Sequence, residues 1–172
     1  MKRILALFII FIPLLVGCQE KKKQSTLTLD DLIEVNRQLV NDDAVRIKAY
    51  IKEQKLQMKE SKTGMWYNII SKNQTPLAIK GQVISMKYKV SLLDGTICYT
   101  SDKKSPRTFL IGQGGVESGL EEAALMLRKG DKAKLIFPPH LAYGLVGDND
   151  RIPPRATIIY DIEVIDIKDH SN

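Results

Sequence analysis

The sequence contains few of the side chains that bind metals or act as nucleophiles. It has two cysteines, Cys18 and Cys98, and two histidines, His140 and His170. These four residues do not follow the ligand spacing of a zinc site. No histidine is placed to activate a cysteine. We therefore expect no metal site, and we interpret Cys98 as a small buried hydrophobic residue.

The chain also lacks a basic segment of the kind that contacts nucleic acids. Its formal net charge is +6, and without Lys2 and Arg3 it falls by two, to +4. Nucleic-acid binding requires a basic face combined with aromatic side chains or a recognition helix, and neither pattern is present. We expect no nucleic-acid partner.

The amino terminus has the pattern of an export signal. Lys2 and Arg3 precede an apolar run from Ile4 to Val16, which is shorter than the ~20 residues needed to span a bilayer. We predict a signal peptide over residues 1–17. The run ends in Leu15-Val16-Gly17-Cys18, which resembles the lipobox of bacterial lipoproteins. The alternative is an ordinary secretory signal with a cysteine at its end by chance.

If the lipobox is functional, Cys18 is lipidated and becomes the first residue of the mature protein. Each buried acyl methylene then contributes ~0.8 kcal/mol, and two or more chains anchor a protein stably. Residues 18–27 are polar and are predicted to form a solvated tether. We expect a lipid-anchored protein of the cell envelope. The sequence does not choose between the inner and the outer membrane. With Cys18 lipidated, Cys98 has no intramolecular disulfide partner.

Residues 28–60 have a helical pattern. Thr28 is a candidate cap and Asp31 lies in the first turn. We predict two helices with a break at residues 41–43, where Asn41, Asp42 and Asp43 interrupt the apolar spacing. The apolar stripes of this leader are suited to packing on the following domain, on each other or on a second copy. A homodimer formed through the leader is therefore one possibility.

Short strands follow, around one helix. A capping box formed by Ser118 and Glu121 is predicted to start this helix, and Gly130 suits its end. Asp94-Gly95 predicts a tight hairpin turn, and a bulge is expected near Ile165. We predict an α+β domain over residues 64–168, with five or six antiparallel strands wrapped around the helix, followed by a tail over 169–172. The predicted strands are Trp66 to Ile70, Val83 to Leu92, Ile97 to Thr100, Phe109 to Ile111, Lys132 to Phe137 and Thr157 to Ile167.

A set of motifs occurs in a fixed order along residues 64–168. It includes Gly81, Tyr88, Asp94-Gly95, Phe109, Ile111-Gly112, Val116, Gly119, Leu141-Ala142-Tyr143-Gly144, Ile152-Pro153-Pro154 and Asp161-Ile162-Glu163. In this order the motifs resemble the FKBP-type peptidyl-prolyl cis-trans isomerases. The lipobox, the two-helix leader and the hairpin Asp94-Gly95-Thr96-Ile97-Cys98-Tyr99 also resemble the gliding-motility-associated isomerase lipoproteins of Bacteroidetes.

The resemblance implies an isomerase that acts on proline-containing polypeptides and needs no cofactor. It implies that the Tyr143 hydroxyl binds a peptide carbonyl and that the backbone N–H groups of Glu117 and Ile152 donate to the ligand. Tyr88 and Tyr160 would be aromatic walls, although core packing explains these two equally well. The apolar lining implied by the resemblance consists of Val116 and Ile152, with Leu120 as the floor.

Several positions depart from the family pattern. Cys98 and Tyr99 replace a phenylalanine and an aspartate. By its position Cys98 is a candidate substrate-binding residue, and Tyr99 is a second candidate hydroxyl for catalysis. Arg107 stands at a usual aromatic position, Glu117 at an apolar one, and Asp148 at that of a loop histidine. Two functions therefore remain open. One is a membrane-tethered isomerase that assists the folding of exported proteins, and the other is a non-catalytic chaperone or assembly module that binds proline-containing peptides in the same groove.

Overall fold

The computed structural model describes residues 28–71, 74–101 and 104–170. The predicted signal peptide, the lipidation of Cys18 and the tether over 18–27 lie outside the described residues, as do residues 171–172 of the predicted tail.

The centre of the fold is an antiparallel sheet of seven strands in the order β1-β2-β6-β7-β3-β4, with β5 paired to β3. The predicted α+β class is confirmed. Six strands correspond to the predicted ones, and the seventh is the two-residue β1. The strands are β1 (Lys59–Glu60), β2 (Trp66–Ile70), β3 (Gln82–Leu92), β4 (Ile97–Thr100), β5 (Arg107–Leu110), β6 (Lys132–Phe137) and β7 (Ile158–Asp169).

The two longest strands, β3 and β7, pair along their whole length, from Gln82 opposite Asp169 to Leu92 opposite Ile158. The register shifts between Ser85 and Met86, where Ile165 has no partner of its own. The predicted bulge is thus confirmed. A bulge inserts one residue and resets the alternation of side chains. Asp166 therefore returns to the same sheet face as Asp161 and Glu163.

A short helix, α2 (Ser118–Ala124), covers the inner face of the sheet. Its apolar residues Leu120, Ala123 and Ala124 have no exposed surface, and neither has Leu127 in the turn that follows. The predicted helix is confirmed, but it ends at Ala124, so the predicted end at Gly130 is wrong. The predicted capping box is also wrong. Ser118 is the first helical residue and makes no side-chain cap. Glu121 instead accepts hydrogen bonds from the N–H groups of Gly112 and Gly114, at 2.7 and 3.0 Å.

The amino-terminal segment forms one continuous helix, α1 (Leu29–Glu53), so the predicted break at residues 41–43 is wrong. Asn41 and Asp42 point to solvent, while Asp43 is buried and accepts hydrogen bonds from Arg46 and Arg155. These partners, one in the same helix and one 112 residues further along the chain, offset the weak helix propensity of Asp43. The predicted cap is confirmed, because Thr28 and Asp31 form a reciprocal capping box.

The carboxyl-terminal half of α1 packs on the outer face of the sheet. Ile47 of the helix is buried against Ile136 of β6 and Ile159 of β7. The amino-terminal half, up to Gln38, is exposed. Among the described residues, no helix is both long and apolar enough to cross a bilayer.

Candidate functional site

A cleft of about 290 Å³ opens beside the amino-terminal end of α2. Two loops and the start of β5 form its walls. The first loop precedes α2, and the second follows the 3-10 helix Pro139–Leu141. This second loop is held in place by hydrogen bonds from Ala142 N and Gly144 N to Pro139 O, at 3.0 and 2.8 Å. The lining residues are Arg107, Gly115, Val116, Glu117, Ala142 and Tyr143.

Glu117 is the polar centre of this cleft. Its Oε1 accepts hydrogen bonds from the hydroxyls of Tyr143 and Tyr160, the latter at 2.7 Å. Arg107 Nη1 donates to the same oxygen at 3.3 Å and to the Tyr160 hydroxyl at 2.7 Å. Glu117 Oε2 lies 2.9 Å from Arg107 Nη2 in an ion pair that is not aligned as a hydrogen bond. One carboxylate thus engages three side chains from separate parts of the chain.

The surroundings keep Glu117 ionised. Burial by itself would raise the pKa of this carboxyl, but the Tyr143 hydrogen bond, the Arg107 charge and the Tyr160 hydrogen bond together lower the pKa below its usual value. Burial and the neighbouring carboxylate raise the pKa of the Tyr143 and Tyr160 phenols. Both tyrosines are therefore neutral hydrogen-bond donors at physiological pH.

Aromatic rings surround the buried end of this cluster. The Tyr160 ring lies 5.8 Å from that of Tyr88 and 5.4 Å from that of Phe137, centroid to centroid, in tilted contacts. The Arg107 guanidinium is 5.8 Å from the Tyr88 ring centroid, within the range of a cation–π interaction. Tyr88 and Tyr160 therefore pack in the core and also hold Arg107.

Tyr99 belongs to a second hydroxyl–carboxylate group, separate from that of Tyr143. Its hydroxyl donates to Asp148 and, at 3.2 Å, to Asp150. The hydrogen bond to Asp148 is the main cause that raises the pKa of the Tyr99 phenol, to about 12. Asp148 Oδ1 also accepts from Ile152 N at 2.8 Å. The N–H of Ile152, which the family resemblance assigns to the ligand, is used within the protein.

The structure places the other predicted site residues at different depths. Cys98, Leu120 and Ile152 are 1%, 0% and 2% exposed and belong to the main hydrophobic core. The Cys98 thiol lies 3.5 Å from Arg151 O, and burial raises its pKa, so it is a weak nucleophile. Tyr88 and Val116 are half-buried. Of the predicted residues, the structure brings Tyr143, Glu117 and Val116 to the cleft, with Tyr160 directly behind them.

A larger cleft, of about 700 Å³, lies on the other side of the sheet. Four lysines line it, among them Lys87 and Lys132, both of which pair with Glu163, at 2.6 and 3.9 Å. Of the predicted site residues it contains only Tyr88. The smaller cleft is the candidate site because the hydrogen-bond donors of Tyr143 and Arg107 line it together with Val116, and the Tyr160 ring lies directly behind them. In the described part of the chain, no group of three or more acidic, histidine or cysteine side chains is arranged to hold a metal.

Arg107 and Asp148 were not predicted as site residues. In the sequence both stand out only as departures from the family pattern. Arg107 and Glu117 are departures of opposite charge at two positions that are usually apolar. Because a buried charge requires a partner, this coincidence was the signal that would have predicted their pairing.

Comparison with known proteins gives the family. The model of the FKBP-type peptidyl-prolyl cis-trans isomerases matches residues 75–165. The chain is 37% identical over 105 residues to FK506-binding protein 2 of Yarrowia lipolytica, covering 60% of this chain and 73% of that protein. It is 33% identical over 112 residues to the FKBP-type isomerase FkpA of Escherichia coli, covering 64% of this chain but only 40% of FkpA.

The fold agrees with these matches. The crystal structure of Escherichia coli FkpA superposes with a TM-score of 0.65 at 28% identity, covering 81% of this chain and 65% of that one. The superposition extends beyond the matched family domain, which covers residues 75–165. The chain belongs to the FKBP-type peptidyl-prolyl cis-trans isomerase family.

Proposed function

We propose that this protein is a peptidyl-prolyl cis-trans isomerase that assists the folding of exported proteins at a bacterial membrane. The observation that carries the proposal is the cleft beside α2, where Tyr143 and Val116 line a hollow of about 290 Å³ in a chain of this family.

The reaction needs a binding surface rather than covalent chemistry. Resonance gives the peptide C–N bond partial double-bond character, so rotation has a barrier of ~18–20 kcal/mol. At the twisted state the amide loses this conjugation and becomes less polar than the planar ground state. An apolar wall such as Val116 favours the twisted state, while the Tyr143 hydroxyl holds a carbonyl of the bound peptide. Each ~1.36 kcal/mol of preference for the twisted state accelerates rotation tenfold.

Catalysis is tested with a short Leu-Pro peptide and the purified protein. We expect faster isomerisation than without protein, and a several-fold loss in the variant Tyr143→Phe, which keeps the ring and removes the hydroxyl. Isomerisation at the uncatalysed rate with the native protein would rule out the enzyme.

A second candidate function is a chaperone or assembly module that binds proline-containing chains without isomerising their Xaa-Pro bonds. It is favoured by one observation: the hydroxyls of both Tyr143 and Tyr99 already donate to carboxylates. Such a protein suppresses aggregation of an unfolded client at near-stoichiometric amounts, and Tyr143→Phe leaves that effect unchanged.

The location at a membrane is part of the proposal and rests on the sequence pattern around Cys18. We propose a lipoprotein of the cell envelope, of the kind associated with gliding motility in Bacteroidetes. Cells given a labelled fatty acid should incorporate the label into the full-length protein. The variant Cys18→Ser should remain unlabelled and leave the membrane fraction. Label in the Cys18→Ser variant, or none in the native protein, contradicts lipidation at this residue.

We also propose a homodimer formed through α1. Leu29, Leu32 and Ile33 are 72%, 51% and 57% exposed, and their spacing places them on one helix face. The same face continues to Ile47, which is buried on the sheet. At 1.5 Å per residue, the exposed half extends for roughly 15 Å.

The oligomeric state is measured by sedimentation. Leu32→Asp combined with Ile33→Asp should convert a dimer into a monomer, whereas Lys52→Asp, at an exposed position near the end of the same helix, should not. A native protein that sediments as a monomer at all concentrations contradicts this part of the proposal.

A further inference from the structure

The candidate cleft has hydrogen-bond donors, but a side chain of the protein itself uses them. The Tyr143 hydroxyl donates to Glu117, and so do the Tyr160 hydroxyl, at 2.7 Å, and Arg107 Nη1, at 3.3 Å. The Glu117 side chain is 3% exposed, so water does not compete for these bonds. The hydroxyl that would bind a peptide carbonyl therefore already has an acceptor.

This acceptor is a stronger one than a peptide carbonyl. Hydrogen bonds to an ionised carboxylate are roughly twice as strong as those between neutral groups. The lowered pKa of Glu117 keeps it ionised at neutral pH. When a neutral peptide carbonyl binds to Tyr143, the hydroxyl exchanges its charge-assisted bond to Glu117 for a weaker one. The buried Glu117 carboxylate then has no water to replace the lost hydrogen bond.

We propose that Glu117 is an internal occupant of the peptide groove and sets the affinity of the enzyme for neutral Xaa-Pro peptides. Its carboxylate holds the Tyr143 hydroxyl, and a peptide carbonyl binds there only when Glu117 gives that hydroxyl up. Arg107 is the positioning residue, because its ion pair with Glu117 keeps the carboxylate in the groove. This inference rests on the proposed isomerase function.

The test removes the buried charges as a pair. Truncating only one partner leaves the other charge buried without compensation, whereas replacing a buried pair by apolar side chains of similar volume is often neutral for stability. We therefore choose Arg107→Leu combined with Glu117→Leu. The matched control is Lys87→Leu combined with Glu163→Leu, which removes an ion pair of 2.6 Å from the outer face of the sheet.

Two quantities are measured with a Leu-Pro peptide: its dissociation constant by calorimetry and the catalysed isomerisation rate. In the Arg107/Glu117 variant we expect the dissociation constant to fall at least tenfold and kcat/KM to rise by a similar factor. The control pair should leave both unchanged. If the Arg107–Glu117 pair had a merely structural role, removing it would loosen the groove and weaken peptide binding. The dissociation constant would then rise instead of fall.

The dependence on Tyr143 gives a second readout. Because the hydroxyl is engaged by Glu117 in the native protein, Tyr143→Phe should reduce kcat/KM there by a smaller factor than in the Arg107/Glu117 variant. We expect a loss of a few-fold in the first background and of tenfold or more in the second. Equal losses in both backgrounds overturn the inference, since they mean that Glu117 does not restrict the hydroxyl.

Failure of the inference and failure of the proposed function are distinguishable. If the native protein is active but the folded Arg107/Glu117 variant binds no more tightly, Glu117 is not an occupant and the isomerase function stands. If the peptide isomerises at its uncatalysed rate with the native protein and with the variant, both the proposed isomerase function and the inference are wrong. If the double variant does not fold, Glu117→Gln replaces it. This change keeps the shape of the side chain and removes its charge. The dissociation constant of the peptide should be lower than for the native protein, but by a smaller factor than expected for the double variant.

Discussion

Tyr160 and Asp161 are neighbours on β7, and they face two differently built sets of charges. On the inner side, Tyr160 contacts the Glu117–Arg107 pair, whose side chains are 3% and 23% exposed. On the outer side, Asp161 pairs with Lys89, at 3.1 Å, and with Lys134. Glu163 likewise pairs with Lys87 and Lys132, and Asp166 with Lys129 and Lys168.

The two sets of charges differ in their exposure to solvent and in the number of cationic partners of each carboxylate. Each outer carboxylate has two lysine partners, and the ammonium groups reach water, so losing one partner leaves no charge isolated. Exposed pairs of this kind contribute about 0.2–1 kcal/mol. The inner pair differs in both respects. Its ion pair joins Glu117 to one cation, Arg107, and the Glu117 side chain is shielded from water. The same two types of charge therefore have different consequences inside and outside the sheet.

The largest effect is expected at Glu117. Glu117→Ala leaves Arg107 half-buried without its ion-pair partner and frees two tyrosine hydroxyls from their acceptor. We expect a loss of about 3–5 kcal/mol in the free energy of unfolding, measured by urea denaturation. Arg107→Leu combined with Glu117→Leu should recover the part of that loss that comes from the unpaired guanidinium group. If Glu117→Ala costs no more than an exposed carboxylate, the contrast between the two faces disappears.

An intermediate effect is expected at Asp43, which lies between the two extremes. Its side chain is 5% exposed, but its partners Arg46 and Arg155 reach solvent, at 54% and 35%. Asp43→Ala should lower the free energy of unfolding by about 1–3 kcal/mol, since it removes charge-assisted hydrogen bonds but leaves both guanidinium groups hydrated. The adjacent exposed variant Asp42→Ala is the control and should be nearly neutral. A loss at Asp43 equal to that at Glu117 would show that partner exposure is irrelevant.

The stability that Glu117 contributes depends on pH. Because the pKa of Glu117 in the folded protein lies below its usual value of 4.5, the unfolded chain takes up the proton first as the pH falls. The stabilisation from Glu117 is complete above pH 4.5 and is lost as the pH falls through the folded pKa. Thermal unfolding between pH 7 and 3 should therefore show a steeper loss for the native protein than for Glu117→Gln. Parallel curves would contradict this.

The smallest effect is expected on the outer face. Glu163→Gln removes the charge that Lys87 and Lys132 share, and both ammonium groups stay solvated. We expect a change of less than about 1 kcal/mol in the free energy of unfolding, decreasing further in 1 M salt, where the Debye length falls to ~3 Å. A larger loss that does not change with salt would contradict this expectation, because the outer ion pairs would then contribute as much as the buried Glu117–Arg107 pair.

Much of the fold was predictable because its signals are local. The alternation in β3 and β7, the Asp94-Gly95 turn and the bulge at Ile165 depend on residues close together in the chain, and all three appear in the structure. The predicted break in α1 failed because Asp43 is stabilised by Arg155, 112 residues further along the chain. Local pattern contains no information about such a partner.

For the site, the sequence indicated the identities of the residues but not their contacts. Tyr143, Glu117 and Tyr160 were all candidates, yet their hydrogen bonds to one another were not foreseen. Glu117 lies 26 residues from Tyr143 and 43 from Tyr160. The Ser118–Glu121 capping box was predicted locally and displaced by bonds from Gly112 and Gly114 to Glu121.

The sequence alone indicated the family, through the resemblance of its ordered motifs. It also determined the order of the strands along the chain and the place of Tyr143 in a loop after Pro138-Pro139, because turn chemistry and apolar periodicity act over a few neighbouring residues. Only the tertiary structure decided that Arg107 and Glu117 form a pair and that their carboxylate engages the Tyr143 hydroxyl. The physical reason is desolvation. A charge withdrawn from water must bind whichever donors the packed sheet and loops bring to it, however distant they are in the chain.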